Sequence, residues 1–450
     1  MTPPRPRPQG SRFQANSIDP KALDLDARRV VKRLQRHGHE AYFVGGCVRD
    51  LLIGREPKDF DVATSASPSA IRRLFRNGRI IGRRFRLVHI YYGDRICETA
   101  TFRREPEPRG KDDDLLIRED NEFGTAEEDS RRRDFTVNGL FLNPSTMEVI
   151  DYVDGLDDLR DRLLRTIGDP FRRLSEDPVR IMRAVKFATR LDFEIEDETW
   201  DAMCEVAPDL RRSAPPRVLE EILRLLRAGT GQGAFRMLWA CGALNALLPD
   251  HADFIGDYRS HARDQSRESR HFFSLLEALD SRVAQGYEPS MALCMAVLYL
   301  PLVLDEMDPD AEDRMGTALD ANWREVAWEM IEPLAQRARL SRKEFTRANR
   351  LIAMQPGFHK GTVLDPEEKG SRFSPLLFAR NEEFDEALDL FGLSAQARGK
   401  GRDIFESWVA RHRRAMSADE DEVEGEQRRL RKGTRRRRRR SKPKRRRSSE

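Results

Sequence analysis

The sequence predicts an α+β multidomain chain, with a mixed-sheet head, an all-α neck and body, and a disordered basic C-terminal tail. Three observations predict it. Short strand-like runs punctuated by glycine are confined to the stretch before Gly168. After Gly168 the apolar spacing turns helical and stays so. The charge is segregated: residues 428–450 hold 15 Lys/Arg and one Glu, a sum of +14, so against the +4 of the whole chain the preceding residues carry −10. At 450 residues the length suggests about three units.

The elements follow in order. Residues 1–18 are rich in Pro and Arg and are expected to be disordered. A helical pattern runs from about Ala22 through Val30, Val31 and Leu34 to Gly38. Ala41–Val44 reads as a short buried strand closed by Gly45 and Gly46, with a helix over Val48–Ile53. Phe60–Thr64, Leu87–Tyr92 and Arg95–Phe102 read as strands, the last with Ile96, Glu98 and Ala100 on one face. Glu105–Asp129 is polar and acidic, a surface-loop composition. A last strand, Phe135–Phe141, is expected to pair with Glu148–Tyr152. Helices are expected over 177–191, 216–228, 233–248, 270–284, 291–304, 321–338, 342–354 and 396–414. These give boundaries of 1–20 for a disordered arm, 21–168 for the head, 169–232 for the neck, 233–415 for the body and 416–450 for an acidic-then-basic tail.

Composition excludes several classes. The longest apolar run, Met291–Leu304, has 14 residues and contains Pro301, short of the about 20 that span a bilayer. The N-terminus lacks the apolar core of a secretory signal. Five scattered cysteines with no CxxC suggest neither a disulfide frame nor a zinc cluster, so a cytoplasmic chain without a membrane partner is expected.

Two constellations carry chemistry. Asp59-Phe60-Asp61 on a strand would project two carboxylates to one face, where they repel unless cations lie between them; such hard oxygen donors suit Mg²⁺. A bland solvated pair at a strand end has the same spacing. Upstream, Gly45 and Gly46 sit between a strand and a helix, where backbone can approach phosphates, and Arg49 lies in the helix's first turn. An ordinary tight turn would look alike.

The stretch VGGCVRDLLIGREPKDFDVATSA resembles motif A of the class II nucleotidyltransferases, a family that includes tRNA CCA-adding enzymes and bacterial poly(A) polymerases. The resemblance continues in order. ICETATFRRE places Glu98 on the strand of the third acidic residue, and SRRRDFTVNGLF resembles motif B, with Arg132, Arg133 and Asp134. DYVDGLDDLRDRLLRTIGDP resembles the hinge motif, and SEDPVRIMRAVKFATRL the nucleobase-recognising helix, with Glu176, Asp177, Arg180 and Arg183. LLRAGTGQGAFRMLWACGALNALLP resembles the neck and early body, so the likeness covers about 30–250.

The resemblance implies a nucleotidyltransferase-type head using two Mg²⁺ ions, with ATP as substrate. Asp59, Asp61 and Glu98 would be metal ligands and, with Asp134, catalytic. Gly45, Gly46, Arg49, Lys58, Arg133 and Asn138 would hold the nucleotide, and Asp177, Arg180 and Arg183 would read its base. Asp177 and Arg180, three apart, could share one helix face; an intrahelical ion pair or a helix cap is the bland alternative. Gly139 departs from the family's small Ala or Ser there, with some loss of strand rigidity expected.

Two features favour poly(A) synthesis over CCA addition. Ile80–Ile90, with Arg83, Arg84 and Arg86, resembles the basic stretch of poly(A) polymerases. The tail residues Arg435, Arg436, Arg437, Arg438, Arg439, Arg440, Lys442, Lys444, Arg445, Arg446 and Arg447 would bind any RNA backbone by counterion release, without base preference. RNA 3′ ends and ATP are the expected partners, RNA-decay or RNA-chaperone proteins are possible ones, and a monomer is expected. A catalytically inactive RNA-binding scaffold is the rival from another class. A fused hydrolase with a His-Asp dyad is disfavoured, because none of the eight histidines is followed by Asp.

Overall fold

A computed structural model describes residues 10–82, 86–104, 122–256, 258, 267–307, 323–363 and 373–429. The chain divides into two compact units, one of residues 1–213 with 241–246, the other of residues 214–240 with 247–450.

Among the described residues the first unit is built on an eight-stranded mixed sheet. Its strands are β1 (Ser11–Gln14), β2 (Ala41–Val44), β3 (Asp61–Thr64), β4 (Gly78–Ile81), β5 (Leu87–Tyr92), β6 (Arg95–Thr101), β7 (Phe141–Asn143) and β8 (Glu148–Asp151). Their order is β1-β8-β7-β2-β3-β6-β5-β4, with β3 and β6 parallel and every other pair antiparallel. Helices α1 (Leu25–Arg36), α2 (Gly46–Leu52), α3 (Pro68–Leu74), α4 (Ala126–Arg131) and α5 (Gly155–Asp161) flank it. Helices α6 (Pro170–Glu176), α7 (Val179–Leu191) and α8 (Asp197–Val206) follow, with a small parallel pair, β9 (Leu163–Leu164) and β10 (Glu194–Ile195).

Local chemistry sets the boundaries. Asp24 caps α1 through Ala27 N–H at 2.8 Å, and Val30, Val31 and Leu34 bury one stripe of that helix. Thr125 and Glu128 form a capping box, so a helix begins inside the stretch whose polarity predicted a loop through Asp129. Residues 105–121 of that stretch lie outside the described residues.

Other expectations are corrected as well. Phe135–Phe141 is not a strand: Thr136–Asn138 form a 3-10 turn, and β7 begins at Phe141. The turn lets Asp134 and Asn138 face each other, which an extended run would not. Gly139 is set by packing rather than by strand geometry, since an added Cβ would lie 2.6 Å from Val153 Cγ2. The Pro/Arg-rich N-terminus contains an ordered strand, β1, paired with β8 from Ser11↔Asp151 to Gln14↔Glu148. Helix 233–248 is broken into Gly231–Ala240 and Ala243–Leu247, with Gly242 at φ 77° between them. Helix 396–414 is likewise two helices, Phe384–Arg398 and Arg402–Ser417, separated by Gly399 and Gly401 at φ 65° and 90°. The acidic patch 419–426 is helical, not disordered: residues 420–429 form a helix capped by Asp419, with Glu424–Arg428 and Glu426–Arg429 ion pairs one turn apart.

Among the described residues the second unit is all-helical. The run Met291–Leu304 is a core helix, buried from Ala292 to Leu304 including Pro301. Phe358 sits against Phe378, Phe384, Phe391 and Trp408, whose indole N–H donates to the Phe358 carbonyl at 2.8 Å. Among the described residues no helix is long and apolar enough to cross a membrane.

Candidate active site

Parallel pairing of β3 with β6 places the acidic residues. Val62 pairs with Thr99 and Ala63 with Ala100, so Asp61 and Glu98, one residue earlier on each strand, stand side by side on one face. Val62, Thr64, Cys97, Thr99 and Thr101 point the other way into the core. The Asp61 carboxyl is pushed up to about 6, first by burial among its neighbours and then by the charge of Glu98; Arg133 draws it down and Asp59 pushes it up.

Asp59 is placed differently from the expectation. The strand begins at Asp61, so Asp59 lies on the exposed approach to it and is not held by the pleat. Among the described residues no three His, Cys, Asp or Glu side chains are arranged as a metal cluster. Asp61 feels the charge of both Glu98 and Asp59, yet the three carboxylates are not gathered around one point. The chemistry of the donor set still fits hard divalent cations, because the charge that Glu98 and Asp59 place beside the Asp61 carboxyl is relieved by a cation.

On the β2 side, Gly45 has φ 72° and starts α2. An added Cβ would lie 3.0 Å from Arg133 Nη1, so that guanidinium covers the glycine turn. Arg133 is held there by Asp129 at 3.0 Å and over the Phe141 ring at 5.4 Å. Gly46 opens the helix, and Lys58 is exposed.

Arg49, expected at a phosphate, is instead 1 % exposed. Its Nε and Nη2 donate to Asp50 at 2.9 and 2.7 Å, and Nη1 donates to Asn138 at 2.6 Å. Burial lowers its pKa against the pull of Asp50. The network runs on: Asn138 donates to Asp134 at 3.1 Å, Arg183 donates to Asp134 from Nε and Nη2 at 2.8 and 2.5 Å, and Arg190 reaches Asp50 at 3.3 Å. Burial alone would raise the Asp134 carboxyl; the Arg183 charge and hydrogen bonds from Asn138, Arg183 and the Phe135 N–H hold it well below the usual range. Asp134 is thus the joint between the 3-10 turn and α7. Asp50 and Arg190 are members of this joint that sequence reasoning missed; both are charged residues on helices, and spacing gave no sign that they pair.

Asp177 and Arg180 do not share a helix as expected. Asp177 lies between α6 and α7, and Arg180 is in the first turn of α7, donating to the Arg173 carbonyl at 2.6 Å. Pro178 forces this break, since the residue before proline disfavours helical geometry. Burial and Arg173 lower the Arg180 pKa. Glu176 accepts from Arg172 and Arg173.

Of the basic stretch, Arg86 is exposed, while Arg83 and Arg84 lie outside the described residues. So do all the tail residues from Arg435 to Arg447.

Comparison with known proteins bears on the family and the fold. Residues 41–165 match the family described as the poly A polymerase head domain. Residues 192–255 match the one described as the probable RNA and SrmB-binding site of polymerase A. The chain is 39% identical over 317 residues to poly(A) polymerase I of Escherichia coli O157:H7, covering 68% of this chain and 67% of that one. It is 41% identical over 290 residues to poly(A) polymerase I of Haemophilus influenzae, of which it spans 63%, just under two thirds. It is also 41% identical over 230 residues to a CCA-adding enzyme of Levilactobacillus brevis, covering 50% of this chain and 56% of that one. The solved structure of the Bacillus stearothermophilus CCA-adding enzyme in complex with CTP shares the fold, with a TM-score of 0.60 at 24% identity, covering 87% of this chain and 81% of that one. The chain belongs to the nucleotidyltransferase family of the poly(A) polymerases and CCA-adding enzymes.

Proposed function

We propose that this chain adds AMP from ATP to RNA 3′ ends without a template, releasing pyrophosphate. The observation that carries the reading is the reach of the likeness: the match to poly(A) polymerase I covers 68% of the chain, against 50% for the CCA-adding enzyme of Levilactobacillus brevis. The basic tail agrees with it, since repeated addition to varied ends gains from a tether indifferent to sequence.

Asp59, Asp61 and Glu98 would hold Mg²⁺. When bound, the cations would activate the RNA 3′-hydroxyl and neutralise charge on the departing pyrophosphate. The chain's own residues do the rest. Gly45 and Gly46 let backbone approach the triphosphate, with Arg133 above the turn and the exposed Lys58 as a further cation for it. Asp177 and Arg180 present an acceptor and donors to the base edge. Asp134, Asn138, Arg183 and Arg49 hold α7 to the head, so that base reading and chemistry share one frame. Arg49 therefore acts by positioning.

The test is incubation with Mg²⁺, an oligoadenylate primer and each NTP in turn. Extension with ATP alone is expected. CCA addition is the second reading, supported by the 41% identity to the CCA-adding enzyme; extension by CMP, CMP and AMP on tRNA alone would establish it. No extension with any nucleotide would leave the binding-only scaffold.

A further inference from the structure

Beyond the carboxylates, the sheet carries a row of side chains that the nucleotide site does not use. In register across the strands, Arg79 pairs with His89, and His89 with Glu98, which stands beside Asp61. Neighbours in a row share a face, so Arg79, Ile81, Leu87, His89, Tyr91, Ile96 and Glu98 all lie on the carboxylate face. That face changes character at the carboxylates. Toward β7 and β8 it is covered, with Val44, Ala63, Phe102, Ala126, Phe141 and Ile150 forming a buried cluster. Toward β4 it is open: Ile81 is 40% and Ile96 46% exposed, Arg79 is exposed, and Tyr91 and His89 are half-buried.

The open part is both cationic and aromatic. The Arg79 guanidinium lies 5.7 Å from the Tyr91 ring centroid, and the His89 ring meets Tyr91 edge-on at 6.2 Å. His89 Nε2 is 3.4 Å from Glu98 Oε1, so the patch runs directly into the carboxylates. Such a surface offers π-faces and a forked cation to single-stranded nucleic acid.

Geometry says which substrate belongs there. The glycine turn and Arg133 lie on the β2 side of Asp61 and mark that side for the triphosphate. In phosphoryl transfer the attacking and leaving oxygens are roughly in line on opposite sides of the phosphorus. The 3′-hydroxyl must then arrive from the β5–β4 side. We propose that the open β4–β5–β6 face is a docking platform for the 3′-terminal nucleotides of single-stranded RNA, with Tyr91 as its stacking surface and Arg79 as its phosphate contact. The site is separate from residues 192–255, described for relatives as the probable RNA-binding region. It rests on the transferase reading only for its direction, since the patch itself is independent of turnover.

The test uses the full chain and an oligoadenylate with 2-aminopurine as its 3′-terminal base, without ATP. Stacking quenches that base. Tyr91→Ala should abolish terminal quenching, Tyr91→Phe should keep it, and a label at the 5′ end should respond to neither. In extension assays Tyr91→Ala and Arg79→Ala should raise the primer KM at least about fivefold, as loss of one stacked base or phosphate contact requires, with the ATP KM unchanged. Quenching and primer KM unaltered in Tyr91→Ala would overturn the platform, as would a rise in ATP KM instead of primer KM. If the chain extends no primer with any NTP but terminal quenching still depends on Tyr91, the platform stands and the transferase reading falls.

Discussion

The two units solve the same problem of burial with opposite materials. In the first, charged side chains are taken inside: Arg49, Asp50, Asp129, Arg173 and Glu176 are all buried, and each meets an opposite charge. In the second, the interior is mainly apolar, led by the Phe358–Trp408 cluster and the wholly buried stretch Ala292–Leu304. Apolar packing tolerates many shapes, whereas a hydrogen-bonded charge network tolerates few. The unit that carries the candidate site holds its residues by the less forgiving means. The helical unit needs only a shape.

The largest expected effect is on the catalytic face itself. Asp61→Ala should lower nucleotidyl transfer by roughly a thousandfold or more, because several kcal/mol of charge stabilisation are lost, while RNA affinity stays near wild type. A gel extension assay beside a binding titration checks this, and retained activity would remove Asp61 from the chemistry.

Next comes the contrast in how the interiors fail. Arg49→Ala leaves Asp50 buried with a weakened set of partners and should cost the first unit about 3–5 kcal/mol. Phe358→Ala should cost the second a similar amount, about 3–5 kcal/mol, through a cavity. The two should differ in repair. An Arg49→Met, Asp50→Leu pair should recover most of the stability without recovering activity. Four of the five tryptophans lie in the second unit, so fluorescence during urea unfolding follows that unit, and hydrogen exchange resolves the other. Recovery of full activity in the double variant would break the claim that the network exists for precision.

A smaller effect separates the units by pH. Burial lowers the His251 pKa to about 4, so the unfolded chain takes up a proton below about 6.5 that the folded chain refuses until about 4. Stability from this group is full above pH 6.5 and declines as pH falls toward 4, by about 3 kcal/mol. Asp61 has the reverse sign: its carboxyl is raised to about 6, so its ionisation weakens folding as pH rises from about 4 to 6. His251→Phe should flatten the acid side of the tryptophan-monitored transition; an unchanged slope would remove His251 as its cause.

The smallest effect tests whether charge matters by itself. Arg402 and Glu406 pair at 2.9 Å on the surface, with side chains 90% and 62% exposed. Arg402→Gln should shift stability by at most about 0.5 kcal/mol. A loss near that of Arg49→Ala would mean that burial is not what distinguishes the two interiors.

Much of this was legible in the sequence, where local rules and global packing agree. The Val30–Val31–Leu34 stripe, the strand before Gly45 and the facing of Glu98 on β6 follow from periodicity alone. The candidate site was legible as a set of residue types. Their division of labour was not, because it depends on partners distant in the chain. Arg49 meets Asn138, Asp134 meets Arg183, and Asp50 meets Arg190. Nothing near Arg49 says that its guanidinium is spent inside the fold. The breaks at Gly242 and Gly399 do not show in the sequence, because helical periodicity continues across them and only the backbone angle interrupts it.

The pairing of β1 with β8 has a consequence for synthesis. Gln14 leaves the ribosome first, yet its partner, Glu148, is made roughly 130 residues later, on the order of ten seconds at ordinary translation speeds. Throughout that interval the strand has no mate. When β8 emerges it offers its free border to whichever extended segment is near, and another nascent chain could fill it as well as its own. Charge at Arg12, placed opposite Ile150 and within reach of Glu148, gives the proper partner an advantage over a stranger.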